Sequence, residues 1–273
     1  MADHPDELRV KPDHKLSLEE RDPSSTPGAD PSKRAEVEAA SIELNLRLEE
    51  LQERLWAQGK HRILVVLQAM DAGGKDATIS KVFEHLNPSG VQVASFKAPS
   101  DAELAHDYLW RIHQQVPADG ELVIFNRSHY EDILVVRVMD LVPEDRWRKR
   151  YRHIREFEAM LADEGVTILK FFLHISKAEQ KERLEARLAD PTKQWKFAVG
   201  DLEHRARWDD YMAAFEDALS ETSTVDAPWF VIPADRKWYR DWAILKILVE
   251  RLEALDLEYP SGSAELATVT IPD

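Results

Sequence analysis

The chain of 273 residues contains no cysteine. This absence excludes disulfides, cysteine-ligated zinc and cysteine nucleophiles. Long hydrophobic runs are also absent, since no apolar stretch approaches the roughly 20 residues that span a bilayer. The first residues, 1–7, are too acidic and polar to form a signal peptide. We therefore expect a soluble cytoplasmic protein that does not contact membranes.

Positive charge is scarce, because 36 Lys and Arg residues face 51 Asp and Glu residues, for a formal net charge of −15. This balance argues against general nucleic-acid binding through a basic surface. A polyanionic substrate would need positive charge concentrated in one place, and segments 146–155 and 183–207 have such concentrations. For segment 146–155, a solvated helix face explains the charge as well as a binding role does.

Glycine is infrequent, with nine residues, but Gly73 and Gly74 are adjacent in a turn between an apolar run and Lys75. A buried strand, a loop of exposed backbone N–H groups and a helix N-terminus together form a phosphate-binding site. The loop reads Ala69-x4-Gly74-Lys75-Asp76, whereas the usual P-loop reads G-x4-G-K-[ST]. We predict phosphate binding here; the alternative is an ordinary strand-to-helix turn with one exposed lysine.

The carboxylates of Asp71 and Asp76 make this loop unusual. They would repel a bound chain of phosphates unless a cation lay between them. The loop therefore predicts Mg²⁺ as the cofactor, with Mn²⁺ as a substitute and Asp71 as a ligand.

Continuous apolar strands alternate with helical segments along the chain. The strands are predicted at 63–68, 91–96, 122–125, 166–175 and 229–232. The helices are predicted at 33–59, 75–86, 100–115, 143–164 and 236–255, with further helices beginning at 176 and 201. This order predicts an α/β fold with a parallel sheet covered by helices on both faces, and ligands then bind beyond the carboxyl ends of the strands.

Composition divides the chain into three parts. Residues 1–32 are rich in Pro, Asp and Ser, which predicts a flexible arm that is ordered only against another surface. Residues 33–259 form the single predicted domain, and residues 260–273 a loose tail.

Asn126 and Arg127 follow the strand predicted at 122–125. A Walker B strand usually ends in an Asp that binds the metal. Asn126 could bind it instead, through its carbonyl oxygen or through water. Arg127 could stabilise charge on a transferring phosphoryl group; the alternative is a structural salt bridge to Glu131 or Asp132.

Other candidates lie after the predicted strands, where an acceptor nucleotide would bind. The segment after 91–96 contributes Glu103, His106 and Arg111, although His106 is equally compatible with the core. The remaining candidates for nucleotide binding are Glu131, Asp132, Asp235 and Lys237.

A basic interruption separates two helices in the last third of the chain. Its cations are Arg183, Arg187, Lys193 and Lys196, and Trp195 lies among them. A connector between helices rarely carries this many cations for stability alone. We therefore predict a lid at about 183–207 that closes over phosphate groups.

Taken together, the motifs resemble the polyphosphate kinase 2 family. The segments that carry the resemblance are 69–79, 96–113, 125–138, 187–197, 205–216 and 228–240. The resemblance implies a P-loop kinase fold, similar to thymidylate kinases, with a helical lid. It also implies Mg²⁺-dependent transfer of phosphoryl groups between inorganic polyphosphate and nucleotides, and a homo-oligomer, either a dimer or a tetramer.

The resemblance also assigns roles to individual residues. Asp71 would be the Walker A metal carboxylate, Lys75 the phosphate-binding lysine, and Gly73 and Gly74 the loop backbone. Arg127 would be the Walker B arginine.

In the lid, Arg187 would be the lid arginine, and Lys193 and Lys196 would line the polyphosphate path. Asn126 departs from the many members that carry Asp. The segment FNRSHYED resembles the subgroup that accepts both nucleoside mono- and diphosphates, which implies ADP-to-ATP and AMP-to-ADP transfer. Because no His or Ser is placed as a phosphate carrier, direct in-line transfer is the simpler mechanism.

Two other functions remain as alternatives. An ATP-dependent nucleoside or nucleotide kinase on the same fold predicts Ser or Thr after the P-loop lysine and a compact lid, whereas this chain has Asp76 and a lysine-rich lid. A non-catalytic P-loop-derived binding protein predicts the loss of Lys75, Asp71 or Arg127, and all three are present.

Overall fold

The computed structural model describes residues 7–263, 266 and 269–272. Residues 1–6 of the predicted arm lie outside the described residues, as do residues 264, 265, 267, 268 and 273 of the predicted tail.

The described residues form one sheet of five parallel strands. The strands are β1 (Arg62–Gln68), β2 (Val91–Ser95), β3 (Leu122–Asn126), β4 (Val166–His174) and β5 (Trp229–Pro233). Their order is β2-β3-β1-β4-β5, and every neighbouring pair is parallel. Strand β1 therefore lies at the centre, and its carboxyl end leads into the glycine-containing loop.

Consecutive residues of β1, β4 and β5 are buried almost without interruption. Because successive side chains of a strand point to opposite faces, both faces of the sheet must be covered. The longer helices are α1 (Arg34–Gln58), α2 (Lys75–Val82), α6 (Glu144–Asp163), α7 (Lys177–Ala189), α9 (Trp208–Thr222) and α10 (Lys237–Glu253). Helix α10 packs on α1 and α2, whereas α6 packs on α9 and β4. The predicted parallel α/β fold is confirmed.

The shorter helices are α3 (Asp101–Leu104), α4 (Trp110–His113), α5 (Val135–Val138) and α8 (Gly200–Ala206). In the part of the chain that the structure describes, no helix combines the length and apolar character needed to cross a bilayer.

The predicted helix at 100–115 is wrong, because two short helices, α3 and α4, occupy this segment. Ser100 and Glu103 form a capping box that starts α3. A turn then interrupts the helix, where the Leu109 backbone donates to Oδ1 of Asp107 at 2.9 Å. The helix predicted to begin at 201 is similarly divided into α8 and α9, with Arg207 between them.

The described part of the N-terminal segment lies against the domain. Leu8, Val10, Leu16 and Leu18 are buried, and Arg9 forms an antiparallel bridge with Phe230 of β5. The apolar residues of this arm thus cover the outer edge of the sheet. The boundaries of the arm, domain and tail stay predictions.

Candidate active site

The loop after β1 requires its two glycines. A Cβ at Gly73 would lie 2.7 Å from the carbonyl oxygen of Met70, and a Cβ at Gly74 would overlap a guanidinium nitrogen of Arg240. Gly74 also has φ of 105°, which favours glycine. Lys75 begins α2 and is buried, and its Nζ donates to the carbonyl oxygen of Ala69 at 3.0 Å. The loop therefore packs closely around the lysine, at a helix N-terminus that favours anions.

A cavity of about 700 Å³ opens beside this loop at the carboxyl ends of β1, β2 and β3. It brings together twelve of the residues predicted from the sequence. They are Asp71, Gly73, Gly74, Lys75, Asp76, Asn126, Arg127, Arg183, Arg187, Lys193, Lys196 and Lys237. The cavity thus lies where parallel sheets bind ligands, and most of its charged side chains are cationic.

Asp71 is held between the side chains of Arg127 and His204. Arg127 donates Nη2 to its Oδ1 at 2.9 Å, and Nδ1 of His204 lies 2.7 Å from its Oδ2. Burial raises the pKa of Asp71, but the His204 hydrogen bond and the charges of Lys75 and Arg127 outweigh burial and hold this pKa at about 2. Asp71 is therefore ionised at neutral pH.

Arg127 has an unusual backbone conformation, with φ of 62° in the left-handed region. Its backbone N–H donates to the Leu67 carbonyl at 3.2 Å, which holds the residue at the end of β1. Such strain is typical of functional sites. Its side chain binds Asp71, whereas Asp132, a proposed salt-bridge partner, instead accepts a hydrogen bond from Arg150 at 3.0 Å. Burial lowers the pKa of Arg127, but Glu131 and Asp71 raise it above its ordinary value.

The side chains around Asn126 offer hard oxygen ligands. Its Nδ2 donates to Oδ1 of Asp76 at 2.8 Å, and its own amide oxygen is a neutral atom that can bind a cation. No group of three or more His, Cys, Asp or Glu side chains among the described residues could hold a metal by itself. Mg²⁺ commonly uses one or two carboxylates and completes its coordination with substrate phosphates and water. Asp71 and Asn126 fit a cation of this kind.

Arg183 braces the loop from α7. Its Nη1 donates to the carbonyl oxygens of Ala72 at 3.2 Å and Gly73 at 3.0 Å, and its Nη2 donates to Ala234 at 2.6 Å. These bonds tie the loop and the segment after β5 to α7.

Three cations of the predicted lid, Arg187, Lys193 and Lys196, line the cavity, and each has a carboxylate near it. Lys193 pairs with Asp190 at 2.7 Å, Lys196 lies 4.0 Å from Asp76, and Arg187 lies 3.9 Å from Asp201. The two longer contacts are weak, so the charges of Lys196 and Arg187 are only partly compensated.

Five of the predicted nucleotide-binding residues do not line this cavity. Glu103 caps α3 and Asp132 binds Arg150. His106 stacks on Trp110 with ring centroids 4.2 Å apart. Arg111 donates to the Lys97 carbonyl at 2.8 Å, and Asp235 accepts from the Ser176 backbone at 2.8 Å.

A sixth residue, Glu131, lines a small neighbouring cavity together with His204 and Tyr211. Nucleotide binding by these six residues stays a prediction.

The charged residues at the site that were not anticipated include Asp201 and Arg240, which line the cavity, and His204, which contacts Asp71. Asp201 and His204 lie in the predicted lid. That prediction rests on the Arg and Lys residues of the segment, so it does not point to an Asp or a His within it. Arg240 lies among the apolar positions of α10. The sequence of this helix therefore resembles that of an ordinary amphipathic helix and does not single out Arg240. The spacing of Lys237 and Arg240, about one helical turn, is the only available signal.

Comparison with known proteins shows similarity to one family. A family model described as "Polyphosphate kinase 2 (PPK2)" matches residues 31–260. The chain is 63% identical over 263 residues to an AMP/ADP-polyphosphate phosphotransferase from Meiothermus ruber, with 96% of this chain and 98% of that protein covered. It is 46% identical over 226 residues to an ADP-polyphosphate phosphotransferase from Rhodopseudomonas palustris, with 78% of each chain covered.

The fold is similarly close to a solved structure. The crystal structure of polyphosphate kinase 2 from Arthrobacter aurescens TC1 superposes with a TM-score of 0.93 and 46% identity, covering 98% of this chain and 96% of that one. On these matches, the chain belongs to the polyphosphate kinase 2 family.

Proposed function

We propose that this protein transfers phosphoryl groups between inorganic polyphosphate and nucleotides, with ADP and AMP as acceptors and Mg²⁺ as the cofactor. The observation that carries the proposal is the cation-lined cavity in which Lys75, Arg127 and the ionised Asp71 converge. The names of the relatives from Meiothermus ruber and Rhodopseudomonas palustris support the same substrates.

The loop amides and Lys75 bind phosphate oxygens at the N-terminus of α2. Arg127, fixed by its strained backbone and by Asp71, neutralises charge that develops on the transferring phosphoryl group. A polyphosphate chain already contains a good phosphate leaving group. The protein therefore has to supply in-line positioning and neutralisation, and no covalent intermediate on a side chain is needed.

Asp71 and Asn126 are the residues that would hold Mg²⁺, which when bound supplies positive charge between phosphate groups. Asp71 remains ionised for this role at neutral pH because its pKa is about 2. We propose that Arg187, Lys193 and Lys196 hold the phosphate chain from the lid side. A homo-oligomer and a cytoplasmic location are part of the proposal and rest on the family resemblance and the sequence.

The choice of donor separates this function from that of an ATP-dependent nucleotide kinase. AMP phosphorylation is measured with either polyphosphate or ATP as the only donor, at equal concentrations of transferable phosphate. The proposal predicts a higher kcat/KM with polyphosphate. A clear preference for ATP would indicate the kinase instead.

A further inference from the structure

A second cavity lies outside the active site, between helices α1, α2 and α10. Its volume is about 400 Å³, and small-molecule pockets begin at about 300 Å³. Its lining residues come from segments 34–45 of α1, 81–85 in and after α2, and 237–245 of α10. Within the part of the chain that the structure describes, Lys237 is the residue that lines both cavities. The second cavity is thus a separate space that adjoins the active site.

Asn45 contributes an unsatisfied acceptor to this second cavity. The residue is 4% exposed, and its Nδ2 donates to the Lys81 carbonyl at 2.9 Å, which ties α1 to α2. That bond fixes the orientation of the amide, because a reversed amide would place two oxygens in contact. Its Oδ1 is buried and has no hydrogen-bond partner among the described residues. An unpaired buried acceptor is costly, so a ligand that donates a hydrogen bond to it gains binding energy.

Asp241 offers a second acceptor in the same lining. Arg240 binds its Oδ1, with Nε at 2.8 Å and Nη2 at 2.7 Å. Its Oδ2 accepts no hydrogen bond from the described residues, and the side chain is 14% exposed. Asn45 and Asp241 together therefore favour an occupant with at least two hydrogen-bond donors.

The apolar part of the lining suits a planar ring. Trp238 of α10 is half-buried, and Leu245 of the same helix is buried. Ile42 of α1 lies across from them in the lining and is 62% exposed. A nucleoside base gains from stacking on an aromatic ring and from apolar contact.

The cations of the lining differ in their partners. Arg34 pairs with Glu38 at 2.9 Å, and Lys81 pairs with Glu84 at 2.7 Å. Lys237 is exposed and forms no hydrogen bond or ion pair with the described residues. Its ammonium group is therefore free to bind an anionic group such as a phosphate.

The two acceptors favour guanine over adenine. The Watson–Crick edge of guanine presents two neighbouring donors, N1–H and the N2 amino group. The same edge of adenine presents one donor, the N6 amino group, beside an acceptor nitrogen. Adenine would thus turn a lone pair towards Asn45 or Asp241, and one of the two acceptors would stay unpaired.

We propose that the second cavity binds a guanine nucleotide. The base donates to Oδ1 of Asn45 and Oδ2 of Asp241 and packs against Trp238, and the phosphate binds Lys237. The inference goes beyond the proposed function, because this site is not the active site and its occupation requires no turnover.

The test is calorimetric titration of GMP into the protein with saturating ADP and no polyphosphate, so that ADP occupies the active site. We expect one GMP to bind per chain, and AMP to bind about tenfold more weakly or worse because one hydrogen bond is lost. An absence of GMP binding, or equal affinities for GMP and AMP, would overturn the proposal.

A pair of variants on α1 locates the binding. Ser41 lines the cavity, so Ser41→Trp fills it, whereas Leu46 is exposed on the same helix and does not line the cavity. We expect Ser41→Trp to weaken GMP binding about tenfold or more, and Leu46→Trp to bind GMP as the wild type does. Wild-type affinity in a folded Ser41→Trp variant would contradict the assignment.

Photo-crosslinking of the unaltered protein covers the case in which Ser41→Trp does not fold. With saturating ADP, an azidoguanine nucleotide should label peptides that contain residues 34–45 or 237–245. Labelling confined to the P-loop and the predicted lid would place the nucleotide in the active site and overturn the proposal. A second copy of the chain is the other possible occupant. If GMP does not bind and Ile42→Glu converts an oligomer to monomers in light scattering, this face is a subunit interface and the proposal fails.

Discussion

Nδ1 of His204 lies 2.7 Å from Oδ2 of Asp71, although the two residues are 133 positions apart in the chain. The contact joins helix α8, in the predicted lid, to the P-loop carboxylate that also binds Arg127. The hydrogen bond raises the pKa of His204 above its ordinary value. Both oxygens of Asp71 are thus engaged, and a cation that binds there must replace one of these contacts.

Replacing His204 by Ala should therefore strengthen metal binding to the substrate-free protein. The change frees one oxygen of Asp71 from a charge-assisted hydrogen bond, and we expect a dissociation constant for Mn²⁺ about tenfold lower. Electron paramagnetic resonance of free Mn²⁺ measures it. His106→Ala is the control, since His106 stacks on Trp110 outside the cavity. An unchanged constant in His204→Ala would mean that the contact does not compete with the cation.

Lys75→Ala and Arg127→Ala should each lower kcat by about 10³-fold, which is the order that a cation at a phosphoryl transition state contributes. Steady-state kinetics with saturating polyphosphate and ADP measures the loss. Lys81→Ala is the control for α2, because Lys81 is exposed and pairs with Glu84. A loss below about tenfold in either active-site variant would remove that residue from the proposed chemistry.

Asn126→Asp should retain activity and depend more steeply on Mg²⁺. In the structure the Asn126 amide donates to Asp76, so the substitution places two carboxylates in contact, and a cation relieves their repulsion. We expect added Mg²⁺ to raise the thermal midpoint of this variant more than that of the wild type. An inactive variant, or equal Mg²⁺ shifts, would contradict the assignment of Asn126 to the cation.

A buried ion pair between Lys170 and Glu158 lies next to His129 and Tyr130, which follow β3. Nζ of Lys170 lies 2.5 Å from Glu158, 2.8 Å from the Tyr130 hydroxyl and 2.8 Å from the Thr222 carbonyl, and His129 also contacts Glu158 at 3.2 Å. Lys170→Met leaves a buried carboxylate without its main partner, so we expect a loss of about 3–5 kcal/mol in the free energy of unfolding. Urea denaturation measures it. Adding Glu158→Gln removes the unpaired buried charge, so it should recover part of the lost free energy of unfolding. A double variant less stable than Lys170→Met would count against the pairing.

The same pair predicts a pH dependence of stability. Burial raises the pKa of Glu158, but Lys170 and His129 lower it below its ordinary 4.5. A depressed carboxyl pKa contributes stability above pH 4.5, and the contribution is lost as the pH falls through the folded-state pKa. The stability advantage of the wild type over the Glu158→Gln, Lys170→Met double variant should therefore shrink on acidification. If the stability difference between the two proteins did not change with pH, the lowered pKa of Glu158 would not contribute to stability.

The features predicted correctly from the sequence are those that depend on residues close together along the chain. The apolar run before the glycine-containing loop and Lys75 after it predicted β1, the P-loop and the start of α2. The alternation of apolar strands with helices predicted a parallel sheet. Positions that depend on tertiary packing were missed. His204 and Arg240 reach the P-loop from helices that are distant in sequence, so their approach depends on tertiary packing. The helix expected through residue 115 instead ends at Leu104, and a turn at Asp107 separates it from α4.

The central claim is tested most directly by ATP formation from ADP and long-chain polyphosphate with Mg²⁺, in the absence of any other phosphoryl donor. The account predicts ATP formation by the wild-type protein, ADP formation from AMP under the same conditions, and almost none of either with Lys75→Ala. A folded wild-type protein that forms no ATP, or a Lys75→Ala variant as active as the wild type, would contradict it.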